Sequence, residues 1–369
     1  MKSYKSKLGV TFVLPTFNER NNIVFLLKEL LKLDDIYKLE IIVIDDNSKD
    51  GTSEVVRLIS REENKIKLIK RLDRFGLSSA IKEGCINATN EIIAIMDTDG
   101  QHLVKDVVNS IEKLSSQNLD IVSGSRFLSN SSIKGLSKKR EKGSLIANKV
   151  AKLSLSSNYS KLSDFMSGCI VLKRKSCVNY LEKIDLNGFK FLYELLSISN
   201  GILKTSEIPL SFQSRKEGNS KFDIAILWDF LISLLHTFLK RTIPRKAISF
   251  ALVGSTGVIV QLITSYTLMS IFGLNFQRAL VVGVLCAASS NFTINNWLTF
   301  HNKRLKNKKF IFGLFKFLII SSLPIIANVG LATSFYHFVF SNTLFSQLAG
   351  IIIVFIWNYA ASSRIVWEI

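Results

Sequence analysis

Acidic side chains almost vanish from the last third of this 369-residue chain: residues 247–369 hold Glu368 alone, against 28 in residues 1–246. Basic residues thin out as well, with eight of 48 in that tail. So few charges around long apolar runs exclude a water-soluble globule there, although the whole chain is 47% hydrophobic. Cysteine is scarce too. Cys85, Cys169, Cys177 and Cys286 show no paired short spacing, which argues against a zinc site and a disulfide framework and leaves reduced cytoplasmic thiols as the default. No long apolar core follows the basic Met1–Gly9 segment, because Val10–Leu14 is only strand length, so a secretory signal is not expected and the sequon at Asn130 reads as a chance match. No nucleic-acid module is present. The formal charge of +19, divided as 40 basic against 28 acidic residues before the tail and eight against one within it, suits phosphate-bearing partners (nucleic acid, nucleotide ligands or anionic lipid head groups) and equally a solvated surface, so charge alone does not select the partner.

What is present is an alternation of short apolar runs with helical patterns. Leu8–Leu14, Leu39–Ile44, Ile66–Ile69, Ile92–Met96 and Leu119–Val122 read as strands. Between them, Glu19–Leu33 places Ile23, Leu26, Leu27, Leu30 and Leu31 at helical spacing behind an Asn18 cap, and Leu77–Ala88 and Leu103–Leu114 follow the same pattern. Strands alternating with helices predict an α/β fold with a mostly parallel, doubly wound sheet. Ligands of such sheets bind beyond the carboxyl ends of the strands.

Three motifs fall at that edge. Pro15-Thr16-Phe17-Asn18-Glu19 follows the first strand, Asp45 to Thr52 the second, and Asp97-Thr98-Asp99 stands where the apolar run Ile92–Met96 ends. Paired carboxylates there suit a hard divalent cation bridging a diphosphate, and equally suit a turn or a helix cap. The spacing of Asp46, Ser48, Asp50 and Gly51 mimics a calcium loop, but Arg57 stands where a bidentate Glu is required. A tight turn plus a carboxylate for a ribose or base is the better reading of that segment.

Leu14–Ile23, Ile41–Thr52, Met96–His102, Gly124-Ser125-Arg126-Phe127 and Arg215–Lys221 together resemble, in order, family 2 glycosyltransferases of the dolichyl-phosphate mannose synthase type. The resemblance implies a GT-A (Rossmann-like) fold and inverting transfer of a hexose, first of all mannose from GDP-mannose, to a polyisoprenyl phosphate, with Mg2+ or Mn2+ as cofactor. It also implies the site residues. Pro15, Phe17, Glu19, Ile44 and Asp46 hold the nucleoside; Asp97, Thr98, Asp99 and Gln101 hold the diphosphate, with Asp97, Asp99 and Gln101 on the metal. Arg126, Arg215 and Lys221 complete a phosphate clamp, and a basic loop, Lys138-Lys139-Arg140, faces the acceptor phosphate, with Arg140 counted as catalytic. Asp164, Ser167 and Gly168 match the family's Asp-Pro-Thr-Ser-Gly-Phe pattern in part, with Phe165-Met166 and Cys169 as departures; Gly100 stands where Leu is usual. Arg126→Ala is expected to impair phosphate handling more than stability.

Phe222–Lys240 is apolar with a stripe of Asp229, Ser233, His236 or Thr237, and Lys240, which fits a helix lying in the membrane surface or one packed on the catalytic domain. Pro244 ends it. Four apolar segments follow, Ala247–Phe272, Phe276–Phe300, Phe310–Val339 and Leu344–Trp367, each supplying the roughly 20 residues that cross a bilayer core. Basic clusters before the first and between the second and third are both cytoplasmic if two spans separate them, which returns both termini to the cytoplasm of a multi-pass integral membrane protein. This tail is similar to the four-helix GtrA-like membrane domain, most clearly over Asn291–Phe300. Asn291, Asn295 and Asn296 there read as helix glue or as a polar route.

The expected organisation is a catalytic domain at 1–221, an interface helix and linker at 222–245, and a membrane domain at 246–369. Its partners are a nucleotide-sugar donor, a polyisoprenyl-phosphate lipid and the membrane, with no nucleic acid; a homo-oligomer is compatible with this. Two alternatives of function are a UDP-sugar donor and a lipid-linked sugar flippase with a regulatory soluble part. A processive polysaccharide synthase ranks last, because the chain has no Gln-Arg-Trp motif.

Overall fold

The structure, a computed structural model, describes residues 7–72, 76–133, 138–184, 190–213, 224–322 and 343–367. These form two compact units, Met1–Phe238 and Leu239–Ile369.

The first unit carries strands β1 (Gly9–Thr16), β2 (Lys38–Asp45), β3 (Ile66–Lys70), β4 (Ile92–Ile95), β5 (Ile121–Ser125), β6 (Ser132–Ile133), β7 (Ile170–Lys173), β8 (Thr205–Pro209) and β9 (Ser211–Phe212). Its helices are α1 (Arg20–Leu31), α2 (Thr52–Glu62), α3 (Leu77–Asn87), α4 (Val104–Ser116), α5 (Lys138–Ser154), α6 (Arg174–Leu181), α7 (Phe191–Ser199) and α8 (Ile224–Phe238). The main sheet has seven strands in the order β3-β2-β1-β4-β7-β5-β8, and β6 pairs with β9 in a small second one. The predicted alternation is therefore present, with boundaries shifted by up to three residues.

Continuous apolar strands arise because both sheet faces are covered. Phe12, Leu14, Ile41 and Val43 face a core shared with Ile23, Leu27 and Leu30 of α1 and Val107 and Ile111 of α4. Val13, Ile42 and Ile44 face the opposite core, with Ala80 and Ile81 of α3 and Leu192, Leu195 and Leu196 of α7. Each such fully buried aliphatic side chain contributes about 1.5–3 kcal/mol.

One strand breaks the parallel pattern. β7 runs antiparallel between β4 and β5, pairing Ile170 with both Ile95 and Ser123. A strand that runs backwards begins where its neighbours end. The loop entering β7 at 163–169 therefore shares a rim with the loops leaving β1, β2, β4 and β5.

Two local expectations are corrected. Asn18 does not cap α1: it sits in the left-handed region at φ 58°, its backbone N–H donates to Ser48 Oγ at 2.8 Å and its Oδ1 accepts from Lys49 N–H at 2.9 Å. A short polar side chain tolerates that conformation, and here it zips the first loop to the second. Lys138-Lys139-Arg140 is no loop but the first turn of α5; their side chains lie outside the described residues.

α8 belongs to the first unit. Phe230 and Leu234 pack on the α7 side of the core, Tyr193 meets the Phe230 ring edge-on at 5.9 Å, and Ser197 and Thr237 share a hydrogen bond of 2.9 Å. Its other face leaves Leu227, Leu231 and Phe238 exposed.

In the second unit, α9 (Arg245–Ser270), α10 (Phe276–Trp297), α11 (308–322) and α12 (Thr343–Ile365) follow. Among the described residues α9 is the one helix that meets both the length and the apolarity of a membrane span. Helix α10, with 22 residues, and α12, with 23, are about 33 and 35 Å long, enough for a hydrocarbon core of about 30 Å. Most of the expected third span lies outside the described residues. Helices α9 and α10 pack closely, with Gly257 against the Asn291 amide and Ser265 against Gly283, as small residues allow in membrane bundles. Ser249 bonds Thr299 at 2.6 Å, and Thr299 donates to Asn295 Oδ1 at 2.7 Å. Asn296 donates to the Leu305 carbonyl and accepts from Leu305 N–H and Trp367 Nε1. For Asn295 and Asn296 the glue reading holds.

Candidate active site

The rim loops of the first unit are tied to one another by hydrogen bonds. Glu19 N–H donates to Thr52 Oγ1 at 3.1 Å, and Asp50 accepts from Arg20 N–H and from both donors of Thr52. Asp45 is wholly buried and accepts from the Ser48 and Ser53 hydroxyls. Asp46 is held on two sides, by Arg71 Nη1 at 3.1 Å and by Gly76 N–H at 2.9 Å. Gly76, at φ 90° and ψ 172°, opens α3 in a conformation that favours glycine. Pro15 and Phe17 lie beside this corner of the chain, whereas the Ile44 side chain is inside the core, so that only its backbone faces the rim.

Asp97 to His102 leave β4 through a turn with Gly100 at φ 78°. His102 Nδ1 accepts the Asp97 N–H at 3.2 Å; its ring stands edge-on to Phe212 at 5.8 Å. Thr98 Oγ1 reaches the Pro15 carbonyl at 3.4 Å. Asp99 Oδ1 accepts from Gln101 N–H at 3.1 Å, while Gln101 Nε2 donates to the Gln213 carbonyl at 3.2 Å. The Asp97 side chain is 34% exposed, the Asp99 residue 4%. Asp97 and Asp99 are thus one solvent-facing and one sheltered carboxylate at the same strand end.

Arg126 follows β5 and faces Asp164 on the loop entering β7. Nε donates to Oδ2 at 2.7 Å and Nη2 to Oδ1 at 2.9 Å, a two-pronged pair with Asp164 fully buried. Burial pushes the Asp164 carboxyl up, but the hydrogen bonds and charge of Arg126 outweigh it and hold it below the usual range. Glu207 of β8 fixes that loop from behind, accepting Ser163 N–H, Ser163 Oγ–H and Asp164 N–H, each at 2.8 Å; burial pushes its carboxyl up. Lys190, just before α7, is drawn below the ordinary lysine range by burial and by Arg126, against the pull of Asp164 and Asp97. Arg126, Asp164, Asp97 and Lys190 thus act on one another electrostatically at this corner.

The structure brings together Pro15, Phe17, Glu19, Asp46, Asp97, Thr98, Asp99, Gln101 and Arg126 along one rim. Arg215 and Lys221 lie outside the described residues, as does the Arg140 side chain. Sequence reasoning missed Arg71, Lys190 and Glu207. Arg126, expected in a phosphate clamp with Arg215 and Lys221, has Nε and Nη2 engaged by the buried Asp164 carboxylate. Cys169 and Cys177 are not activated as nucleophiles: burial pushes both thiols up to about 12.

Asp97 and Asp99 are hard oxygen donors, and the absence of a Cβ at Gly168 leaves room for the Asp97 carboxylate. A Cβ on Gly168 would meet Asp97 Oδ2 at 2.6 Å. Gly168→Ala therefore displaces the Asp97 carboxylate, with an expected loss of about 10²-fold in turnover and a folding cost of about 1–3 kcal/mol. Paired kcat and Tm measurements check both.

Residues 11–181 match the glycosyl transferase family 2 model and residues 249–367 the GtrA/DPMS transmembrane domain model. A dolichol-phosphate mannosyltransferase of Pyrococcus furiosus is 26% identical over 365 residues, covering 98% of this chain and 99% of its own. Another of Mycosarcoma maydis is 29% identical over 255 residues, 66% of this chain and 84% of its own. Among solved structures, glucosyl-3-phosphoglycerate synthase from Mycobacterium tuberculosis, in complex with Mn2+, uridine diphosphate and phosphoglyceric acid, is 17% identical with a TM-score of 0.47, covering 64% of this chain and 80% of that one. The polypeptide thus joins a GT-A domain of glycosyl transferase family 2, matched over residues 11–181, to a GtrA/DPMS transmembrane domain, matched over residues 249–367.

Proposed function

We propose that this enzyme transfers a hexose, mannose from GDP-mannose in the leading reading, to a polyisoprenyl phosphate at the cytoplasmic face of the membrane, with inversion at the anomeric carbon. The observation that carries this reading is the rim itself: the carboxylates of Asp97 and Asp99 at the end of β4, near the Arg126–Asp164 pair, in a chain whose remaining third matches a transmembrane domain model. A mannosyltransferase relative that spans both halves supports it.

The chemistry follows from charge. The acceptor phosphate is anionic near neutral pH, since its second pKa is about 6; its oxygen forms the new bond to the anomeric carbon without a general base. The bond to the nucleoside diphosphate breaks as that group takes the electron pair. Asp97 and Asp99, with Gln101, would hold Mg2+ or Mn2+, which when bound neutralises the diphosphate. Arg71 orients Asp46 for the nucleoside, and Lys190 adds positive charge for a phosphate in a partly dehydrated cleft. Arg215, Lys221 and Arg140 are proposed as further phosphate contacts.

The division into 1–221, 222–245 and 246–369, with four spans and both termini cytoplasmic, is proposed on the same basis. Lys240, Arg241, Arg245 and Lys246 then share a side with Lys303–Lys309, across two spans.

The test offers membranes containing the protein labelled GDP-mannose or UDP-glucose together with a polyprenyl phosphate, with and without Mn2+. Label from GDP-mannose entering organic solvent is the expected result. Label from UDP-glucose alone replaces the donor, and none from any donor overturns the proposal in favour of a transporter.

A further inference from the structure

We propose that the turn between α10 and α11 is a binding site for a lipid whose head group is a phosphate monoester, held between Arg304 and Lys306 over an apolar wall that takes the start of its chain. The inference rests on the second unit being a membrane domain, and it stands or falls separately from the donor and acceptor proposed above.

A buried amide fixes the turn. Asn296, 2% exposed, pairs with Leu305 as a neighbouring strand would: its Nδ2 donates to the Leu305 carbonyl at 3.1 Å, and its Oδ1 accepts Leu305 N–H at 2.8 Å and Trp367 Nε1–H at 3.1 Å. The Leu305 side chain lies against Gly313 of α11, where a Cβ would meet its Cδ1 at 2.5 Å. Asn307, at φ 51°, then turns the chain into α11, its carbonyl accepting Phe310 N–H at 3.0 Å; a short polar side chain tolerates that left-handed conformation. With both backbone groups of Leu305 closed by one side chain, the residues on either side of it are held in place.

Those flanking residues are Arg304 and Lys306, both exposed and both lining an open cavity of about 760 Å³ at the end of α10. That volume falls in the range of about 300–1,000 Å³ usual for small-molecule sites. Ile294, Trp297, Phe310 and Ile311 form its apolar wall, with Trp297 47% and Ile311 70% exposed. No acid lines it. Two cations brought together without an acid repel each other, so the pair calls for an anion. A phosphate monoester carries about 1.5 to 2 negative charges near neutral pH and matches the pair, where a diester brings only one. The wall decides the rest of the ligand. Aromatic and aliphatic side chains left open at the end of a helix long enough to cross a bilayer meet hydrocarbon, with the indole at head-group level. A phosphate ion or a nucleotide would leave that wall in water, whereas a lipid covers it while its head group meets the cations.

The site lies wholly within the second unit, and none of its residues is assigned a contact with the reacting atoms. If the transfer proposed above takes place, the acceptor is a monoester and the product a diester, so this site tells the two apart by charge. That consequence alone rests on the transfer.

The experiment uses the full chain in neutral detergent and measures binding of phosphatidic acid, a polyprenyl phosphate, phosphatidylglycerol and inorganic phosphate by native mass spectrometry. Arg304 and Lys306 changed together to Gln should weaken monoester binding about 25-fold, at about fivefold per cation. Lys308 and Lys309 changed together to Gln remove the same charge from exposed neighbours and should weaken it far less. Phosphatidylglycerol, a diester, should bind about fivefold more weakly than phosphatidic acid, and inorganic phosphate more weakly again. Phosphatidic acid with brominated chains should quench Trp297, read as the difference between the chain and its Trp297→Phe variant, so that lipid held elsewhere on the protein does not count. Tighter binding of polyprenyl phosphate than of phosphatidic acid assigns the site to the acceptor lipid and the reverse to a bilayer phospholipid; both outcomes support it. Equal weakening by the two double variants would reduce the site to general surface charge and overturn the proposal. Binding of neither monoester, equal affinity for the diester, or an unquenched Trp297 would overturn it as well. None of these readouts requires sugar transfer.

Discussion

Asp99→Asn should lower turnover by at least about 10³-fold while the protein still folds and inserts. The substitution keeps an oxygen in place for the Gln101 N–H that Asp99 Oδ1 accepts, so the turn survives. It removes one of two formal charges available to a divalent cation. Stabilising the charge that develops on a departing diphosphate is worth several kcal/mol, and about 4 kcal/mol corresponds to about 10³ in rate. Single-turnover measurements over a Mn2+ titration, with Tm followed in parallel, check the expectation. Full activity at ordinary metal concentration would remove Asp99 from the metal site.

The second large effect concerns stability. Asp164→Ala should destabilise the catalytic unit by about 3–5 kcal/mol, because it leaves the largely buried Arg126 without its partner. Arg126→Ala should cost about as much, since the fully buried Asp164 would then be the stranded charge. The sequence-based expectation that Arg126→Ala harms phosphate handling more than stability is thereby revised. Denaturant unfolding of both single variants and the double variant gives the coupling between them. The pH dependence has a definite sign. Burial raises the Asp164 carboxyl, Arg126 more than offsets that, and the net is a lowered folded-state value. Its contribution is therefore fully present above the unfolded carboxyl pKa of about 3.9 and is lost as the pH falls through the lower folded value. Glu207 acts the other way, because burial raises its carboxyl: its ionised form costs stability at neutral pH, and acid relieves that cost.

The rim was legible in the sequence where a motif directly follows an apolar strand. Asp97 to Gln101 could be placed because Ile92–Met96 has no reading but a buried strand that ends there, and parallel topology then fixes the edge. Residues whose role depends on pairing across the sheet were not legible. Arg71 lies 25 positions from Asp46 and Glu207 43 from Asp164, and nothing local marks either as a partner. β7 escaped because four residues, Ile170–Lys173, enclosed by a polar loop and a basic helix start, carry too little period to declare a strand. Its reversed direction is what brings Gly168 against Asp97. Asn18 misled for a physical reason, since the side chain that suits a helix cap also suits a left-handed turn.

The position of β8 in the sheet has a bearing on biosynthesis. It pairs with β5, Ser206 beside Val122, so an edge of the sheet stays open while the intervening stretch is translated, and such distant pairings form slowly. The missing strand leaves the ribosome shortly before α9, whose apolar length must be handed to the lipid insertion machinery. Completion of the water-soluble half and commitment of the chain to the membrane thus fall close together in time, and slow translation between residues 209 and 245 would favour an orderly succession of the two.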